Sequence, residues 1–141
     1  MNQLKMQKLL YYVEAFHQAY FNRPLIEDEF EAWVHGPVSR KVWNELRDVS
    51  LIYGTFYFEE GEDVNGIIKE VESILAAEQV DLVGDVLEEY GKLSSYKLEC
   101  LTHEEAPWKE ARAGVAPGDP SNNVISKARM REFYREMLYG N

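Results

Sequence analysis

Apolar residues recur every three or four positions along most of this chain, a spacing typical of amphipathic α-helices. The first periodic segment runs from about Asn2 to Tyr20, and Pro24 prevents any continuation of the helix. Its apolar positions are Met6, Leu9, Leu10, Val13, Phe16, His17 and Tyr20. Much of the remaining helix surface is assigned to Lys5, Lys8, Glu14 and Gln18. The pattern predicts a long N-terminal helix with an apolar face and a polar face.

A period of two replaces the helical spacing over Phe30–Val34, which predicts a short strand. The Gly36-Pro37 pair that follows predicts a turn at the end of this strand. Ser39 is a suitable N-cap for a short helix that runs to Leu46. The inward positions of that helix are Val42, Trp43 and Leu46. Residues 51–58 are aromatic and β-branched, which predicts a loop with a second short strand.

Helical spacing returns in the second half of the chain. Two successive segments have apolar positions at Ile67, Ile68, Val71, Ile74 and Leu75, and then at Leu82, Val83, Val86, Leu87 and Tyr90. Gly91 stands where a glycine commonly ends a helix. Ser94 or Ser95 can cap a short helix, and Pro107 and Gly114 suit the two ends of another.

The last periodic segment begins at Ser126, a suitable N-cap. Its apolar face consists of Met130, Phe133, Tyr134, Met137 and Leu138. Together the segments predict a mainly α fold: one compact domain over residues 1–141, a bundle of about six or seven helices. A small β-hairpin or short antiparallel strands accompany the helices. The 141 residues are 45% hydrophobic, which excludes an intrinsically disordered chain.

The formal net charge of −10 changes which partners are expected. A nucleic-acid backbone or an anionic membrane surface is repelled on average by this field, so both are disfavoured. A basic protein is attracted, and its association is steered electrostatically. Solubility alone explains the same charge equally well.

Three further features predict a cytoplasmic protein. No apolar run approaches the roughly 18 residues of a membrane span. The amphipathic pattern begins at the N-terminus without the apolar block of a signal peptide. Cys100 is the single cysteine and cannot form an internal disulfide.

Cys100 and His103 are the first candidates for catalysis, with Glu104 beside them. A nucleophilic pair needs spatial adjacency and a third orienting group, which spacing alone does not supply. Because Cys100 lies between two leucines, a buried and inert thiol is the favoured interpretation. Residues 102–105 have the form of a capping box, so a structural corner is favoured for Thr102 and His103.

Other catalytic and cofactor motifs are missing from the sequence. The chain has no H-E-x-x-H motif, no paired C-x-x-C motif and neither of the common glycine-rich phosphate loops. The sequence therefore predicts a protein that is not an enzyme and holds no metal or cofactor.

The last helix carries the most basic stretch of the chain, with Lys127, Arg129, Arg131 and Arg135. A DNA-binding autoregulator that uses this helix is one hypothesis. Glu132 and Glu136 interrupt the basic residues, which favours an ordinary solvated helix face.

Three short blocks combine into a more specific pattern. They are KMQKLLYY at Lys5–Tyr12, EAWVHGPV at Glu31–Val38 and LTHEEAPW at Leu101–Trp108. In this order and separation they resemble the Panacea domain, the SocA-like antitoxin family that includes phage-associated GepA-type proteins. The resemblance extends from about residue 4 to residue 133.

This resemblance implies an antitoxin that binds and neutralises a cognate protein toxin, often one encoded beside it on a prophage or mobile element. An alternative is an adaptor that delivers a toxin to the unfoldase of a cytoplasmic ATP-dependent protease. Neither a membrane nor nucleic acid is an implied partner, and the sequence leaves a homo-oligomer open.

The resemblance also separates structural positions from candidate contacts. The positions expected to hold the fold are Lys8, Leu9, Tyr12, Trp33, Gly36, Pro37, Val38, Leu98, Thr102, His103, Pro107 and Trp108. Partner choice is expected on the variable surface, where the candidate contacts are Tyr53, Phe56, Tyr57 and Phe58. Clustered aromatic residues favour binding hot spots, and the alternative is that these four fill the core beneath their loop.

Overall fold

Helices dominate the structure, which is a computed structural model describing residues 2–46 and 64–140, without the side chains of 64–68. Within these residues the elements are α1 (Gln3–Phe21), β1 (Phe30–Trp33), β2 (Gly36–Ser39), α2 (Arg40–Leu46), α3 (Val64–Ile74), α4 (Ala77–Tyr90), α5 (Ser95–Glu104), α6 (Ala106–Ala111) and α7 (Lys127–Tyr139). The predicted mainly α fold, with six or seven helices and a small antiparallel hairpin, is confirmed.

Helix α1 lies at the centre of the fold, in contact with β2, α2, α4, α5 and α7. Every side chain over Tyr11–Ala19 is buried. The predicted polar face is therefore wrong at Lys8, Glu14 and Gln18, none of which is more than 3% exposed. Tyr20, which was predicted to lie on the apolar face of this helix, is 47% exposed. Periodicity assumes a single neighbouring surface, whereas this helix has neighbours on several sides.

The buried carboxylate of Glu14 has partners for both oxygens. Its Oε1 accepts hydrogen bonds from the backbone N–H groups of Leu25 and Ile26, at 2.9 and 2.8 Å. Its Oε2 accepts one from Gln18 Nε2 at 3.0 Å and lies 3.2 Å from Lys127 Nζ. Since a buried charge is tolerated only when it is paired and hydrogen-bonded, this network ties α1 to the following loop and to α7.

The apolar core forms around α1. It contains Leu9, Tyr11, Tyr12, Val13, Ala15, Phe16, Ala19, Phe30, Ala32, Leu82, Val86, Leu98, Ile125, Met130 and Tyr134. On α7, Met130 and Tyr134 are fully buried, whereas Met137, predicted on the same apolar face, is 48% exposed. In the last turn of α7, Leu138 still packs against the core, whereas Met137 faces solvent.

The two strands form a hairpin in which Trp33 pairs with Gly36. The turn residues are Val34 and His35. The prediction of a turn at Gly36-Pro37 is therefore wrong, because Gly36 and Pro37 both belong to β2. Neither turn residue has a positive φ, whereas Gly36 has φ of +115°. A tight hairpin needs a positive φ to preserve the strand twist, and glycine adopts it without steric penalty.

Both outer edges of the hairpin are covered. On the β1 side, Ala32 N–H donates to Asn123 O and Ile125 N–H donates to Phe30 O, each at 2.8 Å. On the β2 side, the side chain of Gln7 binds the backbone of Ser39. Unpaired strand edges invite association with other strands, so this hairpin does not offer an open edge at these positions.

Most predicted helix ends are present. Ser39, Ser94 and Ser126 each accept a hydrogen bond from the backbone N–H three residues later, at 3.1 to 3.4 Å. Pro107 lies in the first turn of α6. Gly91 directly follows α4, but its φ of −65° is right-handed, and a Cβ there would collide with the carbonyl oxygen of the preceding turn.

The predicted capping box at residues 102–105 is not formed. Thr102 lies in the last turn of α5, where its hydroxyl donates to Glu99 O at 2.9 Å. Glu105 separates α5 from α6. Because α5 continues through Thr102, that residue cannot cap the next helix, and the corner forms at Glu105 instead.

The remaining helices are less buried. Val42, Trp43 and Leu46 of α2, predicted to face inward, are half-buried. On α3, Val71 and Ile74 are 48% and 75% exposed. The second predicted strand, at 51–58, lies outside the described residues. None of the described helices has the length and apolarity needed to span a membrane.

Candidate protein-binding site

The three sequence blocks meet at the hairpin. A Cβ placed on Gly36 would stand 3.1 Å from Thr102 Oγ1 and 3.2 Å from Lys8 Cε. Glycine therefore allows β2, α1 and α5 to approach closely. Of the positions that match the family pattern, the buried ones are Lys8, Leu9, Tyr12, Gly36, Pro37, Val38, Leu98, Thr102 and Pro107. The half-buried ones are Trp33, His103 and Trp108.

Trp108 connects α6 to the end of β1 through a hydrogen bond. Its Nε1 donates to Trp33 O at 2.9 Å, and its ring stacks on His103 with a centroid distance of 4.0 Å. Arg112 lies over the same indole at 5.1 Å and donates to Ala32 O at 3.0 Å. Burial lowers the pKa of His103, so this imidazole is neutral at pH 7. The α5–α6 corner is thereby held against two consecutive residues of β1.

Lys8 places an ammonium group inside the protein next to this corner. Its Nζ donates to Leu4 O at 3.1 Å, and the whole residue is 2% exposed. Burial lowers the pKa of Lys8 to about 8, an effect partly opposed by the charge of Glu99. The lysine therefore keeps most of its charge at pH 7 and has little contact with solvent.

A second, half-buried carboxylate joins three helices. Glu105 Oε1 accepts hydrogen bonds from Tyr12 at 2.7 Å and from Tyr134 at 2.8 Å. Tyr134 has only one hydroxyl hydrogen, so Tyr11, whose hydroxyl lies 3.2 Å away, donates to Tyr134. Burial raises the pKa values of Glu105 and of Tyr12. These groups contact one another rather than an open cleft.

The histidines and the cysteine have separate surroundings. His17 binds Arg23 O at 2.8 Å through Nδ1, and His35 pairs with Glu99 at 2.7 Å. Cys100 is half-buried, so the prediction of a buried thiol is wrong, because only one face of α5 is covered. Within residues 2–46 and 64–140, no group of three or more His, Cys, Asp or Glu side chains could hold a metal ion.

The basic residues of α7 are largely engaged within the protein. Lys127 pairs with Glu14 and Arg129 with Glu110, at 3.2 and 2.7 Å. Arg135 donates to a carbonyl oxygen of α1 at 3.1 Å. A nucleic-acid phosphate would have to compete with these internal partners.

A groove of about 730 Å³ lies where the hairpin turn meets the start of α1, the start of α2 and the 118–122 loop. Its apolar lining comes from Leu4, Trp33, Val34, Val38, Trp43 and Pro120. The rings of Trp33 and Trp43 meet edge to face, with centroids 5.4 Å apart. A concave and mostly apolar surface of this size can receive side chains of a partner.

Glu31 and Arg40 hold one wall of the groove in place. Arg40 contacts both Glu31 oxygens, at 2.8 and 3.1 Å, and its guanidinium lies 5.5 Å from the centre of the Trp33 ring. Trp33 Nε1 donates to the same carboxylate at 2.9 Å. Although burial acts in the opposite direction, the bonds from Arg40 and Trp33 lower the pKa of Glu31. The indole wall is therefore pre-organised before a partner arrives.

Two glutamines form the polar wall of the groove. Gln7 Oε1 accepts from Ser39 N–H at 2.8 Å, while Gln7 Nε2 donates to Ser39 O and to Gln3 Oε1, both at 3.3 Å. Gln3 is fully buried, and its Nε2 has no acceptor among the described residues.

Sequence reasoning did not identify this groove. The predicted contacts Tyr53, Phe56, Tyr57 and Phe58 lie outside the described residues. Trp43 was expected to face inward and Gln3 was not singled out. The feature of the sequence that pointed to the groove was a pair of tryptophans on either side of a predicted turn. Such a pair is found both in protein cores and on binding surfaces, so it did not identify the groove.

Comparison with known families gives one match. The model of the family described as antitoxin SocA-like, Panacea domain, matches residues 6–109. No curated protein and no solved structure matches the chain. The matched range contains the hairpin, its contacts with α1 and α5, and Trp108. Because it covers about three quarters of the chain, this protein belongs to the SocA-like antitoxin family, which is defined by the Panacea domain.

Proposed function

We propose that this protein is a cytoplasmic antitoxin that neutralises a cognate protein toxin by binding it directly, with residues 1–141 acting as one Panacea domain. The family match carries this proposal, because it covers most of the chain and includes the hairpin and α2. The toxin is the product of an adjacent gene, in a prophage or another mobile element.

Internal contacts of the family-pattern residues support a binding role rather than catalysis. Gly36 lies close to residues of two helices, Trp108 binds the backbone of β1, and Tyr12 binds a half-buried carboxylate. Such residues hold a scaffold, and the surface that the scaffold presents selects the partner. We therefore expect neutralisation to depend on surface complementarity and not on a reactive side chain.

Direct neutralisation is tested by co-expression. The adjacent gene is induced alone and together with this chain, and colony formation is counted. We expect growth arrest in the first case and growth in the second. The proposal fails if the adjacent product is harmless alone, or if it arrests growth equally when this chain is present.

The half-life of the toxin separates direct inhibition from delivery to a protease. Direct binding leaves the toxin stable within an isolable complex, whereas an adaptor shortens its half-life and needs the protease unfoldase. Pulse–chase labelling with and without this chain measures the difference. A toxin that is degraded only in the presence of this chain would favour the adaptor.

The four aromatic residues Tyr53, Phe56, Tyr57 and Phe58 remain candidate contacts. Single alanine substitutions at these positions are expected to weaken toxin binding if they are hot spots. Loss of thermal stability with unchanged affinity would instead assign them to the core.

A further inference from the structure

We infer that the groove between the hairpin and the start of α1 receives an extended, basic segment of the toxin that carries a large apolar side chain. This inference rests on the proposed function, since it names the surface and the partner chemistry of the same binding event. Two properties of the groove support it, its tryptophan pair and an unused amide donor, together with the net charge of the whole chain.

The tryptophan pair provides the apolar anchor. Trp33 and Trp43 are half-buried, so part of each ring remains available to a partner. Glu31 and Arg40 already hold Trp33 in position, which reduces the entropy lost on binding. Tryptophan and arginine are the residues most enriched in binding hot spots, so an apolar side chain of the partner fits beside them.

The amide of Gln3 provides the polar contact. Gln7 can have only one orientation, because Ser39 offers it both a donor and an acceptor. Its remaining N–H therefore points to the oxygen of Gln3, which leaves the Gln3 NH₂ group without an acceptor in the described part of the chain. Buried donors without acceptors are rare in native proteins. Because Gln3 is fully buried in the free protein, a backbone carbonyl of an extended segment would supply the missing acceptor once the side chains that cover the amide shift on binding.

The net charge of the whole chain favours one class of partner. At −10 the chain repels nucleic acids and anionic lipids and attracts basic polypeptides. A peptide also offers a carbonyl oxygen and an apolar side chain together, as the groove requires. A segment of a basic protein is therefore the occupant that this charge and the groove together favour.

Two substitutions test the groove, with a purified, catalytically inactive form of the adjacent gene product as the probe. Gln3→Met removes the amide donor, together with the oxygen that accepts from Gln7, while nearly preserving side-chain length. Trp43→Ala removes half of the aromatic anchor. Tyr139→Ala is the control, because Tyr139 is 62% exposed at the end of α7 and is not part of the groove lining. Calorimetric titration measures each dissociation constant, and thermal melting measures each folded state.

We expect both groove variants to bind about 10 to 30 times more weakly than wild type, with the control within about threefold. Gln3→Met also removes the oxygen that accepts from Gln7, so it should melt somewhat lower than wild type. Each affinity is therefore measured at a temperature at which the variant is fully folded, so that its loss of affinity does not come from unfolding. Wild-type affinity in Gln3→Met overturns the inference, even if Trp43→Ala fails to fold. The proposed function would survive that result, whereas it fails if the wild-type chain neither binds nor neutralises the toxin.

Discussion

Tyr134 donates a hydrogen bond of 2.8 Å to Glu105, the residue that separates α5 from α6. Tyr134 lies beyond the range that matches the family model, and Glu105 lies within it. The same carboxylate oxygen accepts a second bond from Tyr12 of α1. Helix α7 therefore shares a partly buried polar contact with the family-matched region and contributes to its core.

Tyr134→Phe is expected to destabilise the protein by about 1–3 kcal/mol, because it removes one of the two hydroxyl donors to the half-buried Glu105 carboxylate. Urea denaturation followed by circular dichroism measures the free energy of unfolding. Tyr139→Phe, at an exposed position, should change it by less than about 0.5 kcal/mol. Equal stability of the two variants would mean that the hydrogen bond to Glu105 makes no net contribution.

Gly36→Ala is expected to lower the free energy of unfolding by about 1–3 kcal/mol. Its φ of +115° is strained for alanine, and the new methyl group would press on Thr102 and Lys8. Gly84→Ala is the matched control, because Gly84 lies within α4 and its Cβ would have no neighbour within 4 Å. That control should gain about 0.5–1 kcal/mol from helix propensity. The two substitutions should therefore change the free energy of unfolding in opposite directions, and changes in the same direction would contradict this prediction.

Lys8 should make stability rise with pH above neutrality. Its pKa is about 8 in the folded state and 10.5 when unperturbed, so between these values the unfolded chain binds more protons. The burial penalty on the charged lysine is thus present at pH 7 and is relieved as pH rises. Between pH 7 and pH 9, wild type should gain about 1 kcal/mol relative to Lys8→Met. Parallel stability curves for the two proteins would contradict the lowered pKa.

Toxin binding should weaken as ionic strength rises, because the net charge of −10 is expected to steer a basic partner. Raising sodium chloride from 50 to 500 mM should increase the dissociation constant by about tenfold, mainly through a slower association rate. Biolayer interferometry with the inactive toxin separates the two rate constants. Sucrose at matched osmolarity is the control, and an association rate that is insensitive to salt would argue against a basic partner.

Local sequence signals predicted the elements that depend on neighbouring residues in the chain. The predicted serine caps at Ser39, Ser94 and Ser126 form as expected, and Pro107 lies in the first turn of α6. Capping needs only a side chain and a backbone N–H three residues away, so it is readable from sequence. The turn at Val34-His35 was missed because Gly36 supplies the positive φ from within the strand.

Burial of polar residues was predicted poorly. The helical pattern placed Lys8 and Glu14 on the solvent-facing side, yet both are buried. Glu14 pairs with Lys127, which is distant in sequence, and Lys8 donates to a backbone carbonyl oxygen. The groove was missed for the same reason. Gln3, Trp33 and Pro120 line it together, although they come from three separate parts of the chain.

By itself, the sequence determined that this chain is mainly helical, where several helices begin, and which antitoxin family it belongs to, because these properties are carried by local spacing and short motifs. Only the tertiary structure decided which charged residues lie inside and where an apolar groove opens. Both depend on how many elements surround a given side chain, and that number is set by packing between distant segments.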